Sequence, residues 1–202
     1  LEPIQELARA TNTSPPTISR FVSKLGFHGY QDFQRHLIGE LKQGQRSPVD
    51  LQASSAPIEG AFLENFLERV CTLVKSANKA VSEAQFARIA EMLADEKRSI
   101  FVIGGRMSDP LAQYLSRHLR QIRAKVFHLP PDPDVWPEYL LRMRAKDVLF
   151  VIDFRRYQHN LSALALKATQ ARNVQIVLMT DEWLSPISAQ ASEVLAASID
   201  VS

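Results

Sequence analysis

The sequence predicts a small all-α helix-turn-helix domain followed by an α/β three-layer domain built on a parallel sheet. Three observations carry this. Residues 4–25 read as two short helices around a polar turn. Residues 44–58 form a polar stretch with Pro48, Pro57 and a Ser/Ala run. After residue 98, near-continuous apolar runs alternate with amphipathic ones. Apolar residues make up 46% of the 202 and charged residues 23%, ordinary for a globular protein and enough for two small cores. The expected division is 1–43, a linker at 44–58, and 59–202.

In the first part, Ile4, Leu7 and Ala8 share a face, and Thr11-Asn12-Thr13 breaks the helix. Ser14 suits an N-cap whose hydroxyl accepts a first-turn N–H. Pro15 suits the first helical position. Ile18, Val22 and Leu25 fall at i, i+4 and i+7, a buried stripe, which turns Thr17, Arg20 and Lys24 outward. That face has the small-polar and basic chemistry of a helix entering a DNA major groove; the alternative is a hairpin whose polar face is merely wet. Gly26 is placed as a C-terminal cap. Phe27, Tyr30 and Phe33 are expected in the core rather than stacked on bases, and Gln34–Leu41 continues as helix.

Helices are expected over 61–77 and 82–95, with Phe62, Phe66, Val70 and Leu73 recurring in the first and Phe86, Ile89, Ala90 and Leu93 in the second. Ser99–Ile103, Lys125–Leu129, Val148–Ile152 and Val174–Met179 read as strands, and Ser192–Ala197 as the start of a fifth. Leu111, Leu115, Leu119 and Ile122 line one helix, and Leu161–Ala171 is another. Apolar strands separated by amphipathic helices imply a parallel sheet covered on both faces. Such sheets bind ligands at the carboxyl ends of their strands. The segments of interest are therefore 104–108, 129–134, 153–158 and 180–185.

Six Lys/Arg stand against four Asp/Glu in residues 1–46, five against eight in 47–97, and thirteen against ten in 98–202. The mildly basic first segment permits DNA contact, and its modest charge suits a dimer that presents two such modules. Arg117, Arg120, Arg123 and Lys125 read as a solvated helix face rather than a second DNA contact. The single cysteine, Cys71, excludes an intramolecular disulfide, fits a reducing cytoplasm, and reads as a small buried hydrophobe. No run is long enough to span a membrane and no secretory signal is present. His28, His36, His118, His128 and His159 are scattered, so no metal or other cofactor is expected. Because the chain starts almost inside its first helix, a fragment cut at both ends is expected.

The run SPPTISRFVSKLGFHGYQDF resembles the helix-turn-helix segment of RpiR/MurR-type bacterial transcriptional regulators. IFVIGGRMS, VLFVID and VQIVLMTDEWLSPISAQASEVL resemble, in order, the sugar isomerase (SIS) domain that follows it in that family. The resemblance implies a dimeric or tetrameric regulator whose SIS domain binds a small metabolite, usually a phosphosugar, and alters binding to a double-stranded DNA operator. It places Ser14, Pro16, Thr17, Ser19, Arg20 and Lys24 at the DNA, with Arg20 suited to guanine readout and Lys24 to phosphate.

It also matches Ser108 to the serine in the loop after the first SIS strand; Gly105, Arg106 and Thr180 are placed at the site by their position at the carboxyl ends of the strands. The family's Ser-x-Ser-Gly-x-Thr after the third strand is replaced here by Asp153-Phe154-Arg155-Arg156-Tyr157-Gln158. Two arginines would crowd a phosphate cradle and Asp153 would repel phosphate. Arg155, Arg156 and Arg106 instead suit an anion such as a sugar acid, a dicarboxylate or a phosphorylated acid, unless Asp153 pairs internally with Arg155 or Arg156. Two other functions stay open. One is an isomerase using Glu138, Glu182 or His128; the other is a DNA-binding protein whose SIS domain only dimerises.

Overall fold

The computed structural model describes residues 3–44 and 60–197. The chain divides into two compact units, Leu1–Ser55 and Ala56–Ser202. Apart from Gly44, the expected linker lies outside the described residues.

The first unit holds α1 (Ile4–Ala10), α2 (Pro15–Lys24) and α3 (Tyr30–Gly44). Ala8, Ile18 and Val22 are its buried centre, with Ile4, Leu7, Phe27, Tyr30 and Phe33 packed around them. Gly26 has φ +90°, a left-handed turn that glycine adopts at no steric cost. The turn swings Phe27 back so that its N–H donates to the Val22 carbonyl. Phe27 thus takes the place expected for Leu25, which is 51% exposed. Ser14 also differs from expectation. It stands at the N-cap, but its hydroxyl bonds the Thr17 hydroxyl at 2.9 Å rather than a backbone N–H.

In the second unit, α4 (Phe62–Ala80) and α5 (Glu83–Ala94) precede β1 (Ile100–Gly104). Then come α6 (Asp109–Ile122), β2 (Val126–His128), α7 (Trp136–Arg142), β3 (Val148–Ile152), α8 (His159–Arg172), β4 (Gln175–Asp181) and β5 (Glu193–Ala197). The five strands form one parallel sheet in the order β2-β1-β3-β4-β5.

Side chains alternate across each strand, so each strand feeds both faces. Phe101, Ile103, Leu149, Val151, Ile176 and Leu178 meet α7 and α8 through Trp136, Leu161, Leu164 and Ala168. Ile100, Val102, Val148, Phe150 and Val177 meet α5 and α6 through Ile89, Ala112 and Leu119. These are the three expected layers.

Four packing expectations are corrected. The buried side of α6 runs through Asp109, Ala112, Ser116 and Leu119; these mostly small residues let the helix sit close to the sheet, and they turn Leu111 (52% exposed) and Ile122 (79%) outward. Arg123 is buried, not solvated: its guanidinium donates to the carbonyls of Leu93, Arg98 and Ala124. Cys71 is exposed on α4. Phe86 on α5 is exposed as well, because that helix packs through Ile89 with Met92 and Leu93. Among the described residues, no helix is long and apolar enough to cross a membrane, and no group of three His, Cys, Asp or Glu side chains is placed to hold a metal.

Candidate functional site

In the first unit, α2 buries Ile18 and Val22 and exposes Ser14, Pro16, Thr17, Ser19, Arg20 and Lys24. The helical period of 3.6 residues puts Pro16, Thr17, Arg20 and Lys24 opposite the buried stripe. The face carries two cations, Arg20 and Lys24, and no acid. Arg20 and Lys24 have no ion-pair partner among the described residues, so their charges stay available to an anionic surface.

In the second unit, the segments following β1, β3 and β4 lie at the carboxyl edge of the sheet. The β1–α6 turn is tight. A Cβ on Gly104 would stand 2.6 Å from Asp109 backbone atoms, so only glycine fits there. Gly105 is buried and its N–H donates to the Ile152 carbonyl across the sheet edge at 2.9 Å. Ser108 is buried at the N-cap of α6, while Arg106 is exposed. Asp109, at the start of α6, pairs with His128 Nε2 at 2.7 Å and accepts from Gln113 Nε2 at 2.9 Å.

The β3–α8 loop is governed by two buried carboxylates, Asp153 just after β3 and Asp181 at the end of β4. Asp153 is 1% exposed and Asp181 is fully buried. Asp153 accepts from the Ser185 hydroxyl at 2.6 Å. Burial pushes its carboxyl above the usual carboxylate range. The Ser185 and Gln158 donors pull the other way, and the charge of Asp181 adds to the rise. Asp181 accepts the Arg155 backbone N–H at 2.8 Å and the Tyr157 hydroxyl. Burial, and after it the bond to Asp181, raises Tyr157 above the usual phenol range, so it stays a neutral donor.

Thr180 is buried: its hydroxyl donates to the Asp153 carbonyl at 2.8 Å and accepts the Ser185 N–H at 3.1 Å. It braces the loop from within.

Asp153 is therefore held by Ser185, and neither Arg155 nor Arg156 forms an ion pair with it. The Arg155 guanidinium lies over the Trp183 ring, 3.8 Å from its centroid, a cation–π contact, and its Nε is buried without an acceptor. Arg156 is exposed and adopts φ +65°, the left-handed region that favours glycine. Arg106, Arg155 and Arg156 make no ion pair among the described residues, and Gln158 precedes α8 at its N-cap. Of the residues suggested for isomerisation, Glu138 and Glu182 are exposed and His128 is tied to Asp109. Sequence reasoning picked out both loops but missed the roles of Asp181, Tyr157, Trp183 and Ser185.

The fold and the two sites define a helix-turn-helix unit joined to a SIS domain. The SIS-domain profile matches residues 92–201, and that of the rpiR-family helix-turn-helix domain matches residues 2–44. The chain belongs to the RpiR family of helix-turn-helix proteins that carry a SIS domain.

No curated protein matches it. Among solved structures, it is similar to the Vibrio vulnificus NanR protein complexed with ManNAc-6P (22% identity, 98% of this chain and 68% of that one, TM-score 0.59). It is also similar to the sugar isomerase domain of an RpiR transcription factor from Sphaerobacter thermophilus (20% identity, 68% and 75%, TM-score 0.59). A third is the c3406 protein of E. coli CFT073 (13% identity, 71% and 77%, TM-score 0.54). At these identities the likeness is one of fold.

Proposed function

We propose that this chain is a cytoplasmic regulator of transcription, of carbohydrate or related metabolism, that binds double-stranded DNA through α2 as a homodimer or tetramer. Its SIS domain senses a small anionic metabolite, a sugar phosphate or sugar acid, and turns over no substrate. The observation that carries the reading is the exposed Thr17, Arg20 and Lys24 face of α2, set over a buried stripe, in a chain that continues into a SIS domain. The NanR complex with ManNAc-6P supports an anionic sugar as ligand.

Arg106, Arg155 and Arg156 are the cations of the effector site, with Gly105, Ser108, Asp153, Gln158 and Thr180 shaping its loops. An effector moves the switch only if it binds two arrangements of the protein with different affinity.

The test is selection of bound duplexes from a random pool, repeated with Arg20→Ala. The chain enriches a defined motif, and the variant retains DNA binding with relaxed sequence preference at one position. Failure to bind any duplex at low salt overturns the reading. Turnover of a sugar phosphate by the purified protein would favour the isomerase alternative instead.

A further inference from the structure

A helix N-terminus is a common anchor for a phosphate, because its first N–H groups are unpaired and its dipole favours an anion. The leading turn of α2 is built differently. Pro15 and Pro16 occupy the first two helical positions and carry no N–H. The next two N–H groups, of Thr17 and Ile18, both donate to the Ser14 carbonyl, at 2.9 and 3.2 Å. The only charges of α2, Arg20 and Lys24, lie in its second half.

The side chains of that turn are apolar or bonded to one another. Ser14 and Thr17 join hydroxyl to hydroxyl at 2.9 Å, as do Thr11 and Thr13 just before them. Pro15 is half-buried, while Pro16 and Thr17 are exposed. With the Thr17 hydroxyl tied to Ser14, the turn has the Pro16 ring and the Thr17 methyl left for a partner. Both residues share a face with Arg20, at i+4 and i+3.

In a major groove the apolar group on a base edge is the C5-methyl of thymine. We propose that Pro16 and Thr17 read thymine by contact with that methyl, so that an apolar base contact fixes the leading end of α2 and Lys24 fixes its far end on phosphate. This rests on the reading of α2 as the DNA-contacting helix. Four residues at ~1.5 Å each put Pro16 about 6 Å along the helix from Arg20, close to two base steps at ~3.4 Å. The thymine therefore stands within about two base pairs of the guanine that Arg20 reads.

The experiment takes duplexes that the intact chain enriches from a random pool and rebuilds them with uracil in place of each thymine in turn. Uracil lacks only the methyl and keeps every hydrogen-bonding group of thymine. Fluorescence anisotropy is expected to show one such replacement, close to a guanine, weakening binding by about fourfold, the worth of one buried methyl group. Pro16→Ala/Thr17→Ser removes the ring and the methyl but keeps the hydroxyl. This variant is expected to bind the thymine and uracil duplexes alike.

Equal binding of thymine and uracil at every position by the unaltered chain, or an enriched motif without thymine, overturns the inference and leaves the DNA reading standing. A uracil penalty that persists undiminished in the variant does the same. Failure to enrich any duplex overturns the DNA reading and the inference together. The uracil scan needs only the unaltered chain, so the test holds even if the double variant fails to fold.

Discussion

Asp153 makes the chemistry of single residues measurable. Its carboxyl is raised by burial, so between the ordinary carboxylate pKa and the raised value the folded protein holds a proton that the unfolded chain has lost. Its contribution to stability is therefore fully present below the unfolded pKa and declines as pH rises through that window. Urea midpoints of the protein and of Asp153→Asn, compared from about pH 4 to 7, should show the unaltered chain losing ground to the variant as pH increases. A constant difference would mean that burial does not govern this group.

Gly104 offers a second test. A methyl 2.6 Å from the Asp109 backbone forces the β1–α6 turn to move, so Gly104→Ala should cost about 1–3 kcal/mol in urea unfolding, the usual range for overpacking. Arg123→Ala removes charged donors from three carbonyls and should cost about 1.5–3 kcal/mol. A variant as stable as the parent would return Arg123 to the solvated face that its sequence neighbours suggest.

Among the elements, α2 carries a separable prediction. Arg20 and Lys24 share its exposed face, but a guanidinium reads a base edge while an ammonium holds phosphate. Lys24→Ala should weaken binding to specific and random duplexes alike and flatten the salt slope by about one. Arg20→Ala should narrow the ratio between the two, and fluorescence anisotropy over a range of salt checks both.

How well each element could be read from sequence follows from what positions it. β1 and β3 were legible because every residue in them is buried, which leaves unbroken apolar runs. α7 was not, because a seven-residue helix with Pro137 in its first turn lacks the length for a periodic signal. The face of α6 was misread because Ala112 and Ser116 carry little hydrophobic signal, although their small size is what lets the helix approach the sheet. The loops at the carboxyl edge of the sheet were placed from the general behaviour of parallel sheets. The bonds of Asp181 to Arg155 and Tyr157 were not, since strand order alone brings those segments together.

For the whole molecule, the outward residues of α4 matter most. Phe62, Leu63, Phe66, Leu67 and Val74 are all more than half exposed, a run of apolar surface that monomeric proteins seldom leave open. Our reading assigns it to the contact between copies. Phe66→Glu should lower the mass seen by sedimentation equilibrium and weaken operator binding, because two half-sites are then no longer engaged together. A variant that keeps the parent's mass would move the contact elsewhere.

The parallel sheet has a further consequence, in time. Ile100 must find both Val126 and Val148, and Val148 must then find Gln175, so no strand pairs until a long crossover has closed. The three-helix unit gathers Ala8, Ile18 and Val22 within a single short stretch of chain. Folding rate falls as contacts become less local, and the N-terminal unit leaves the ribosome first. A newly made molecule therefore passes through an interval in which its helix-turn-helix unit is formed and its SIS domain is not.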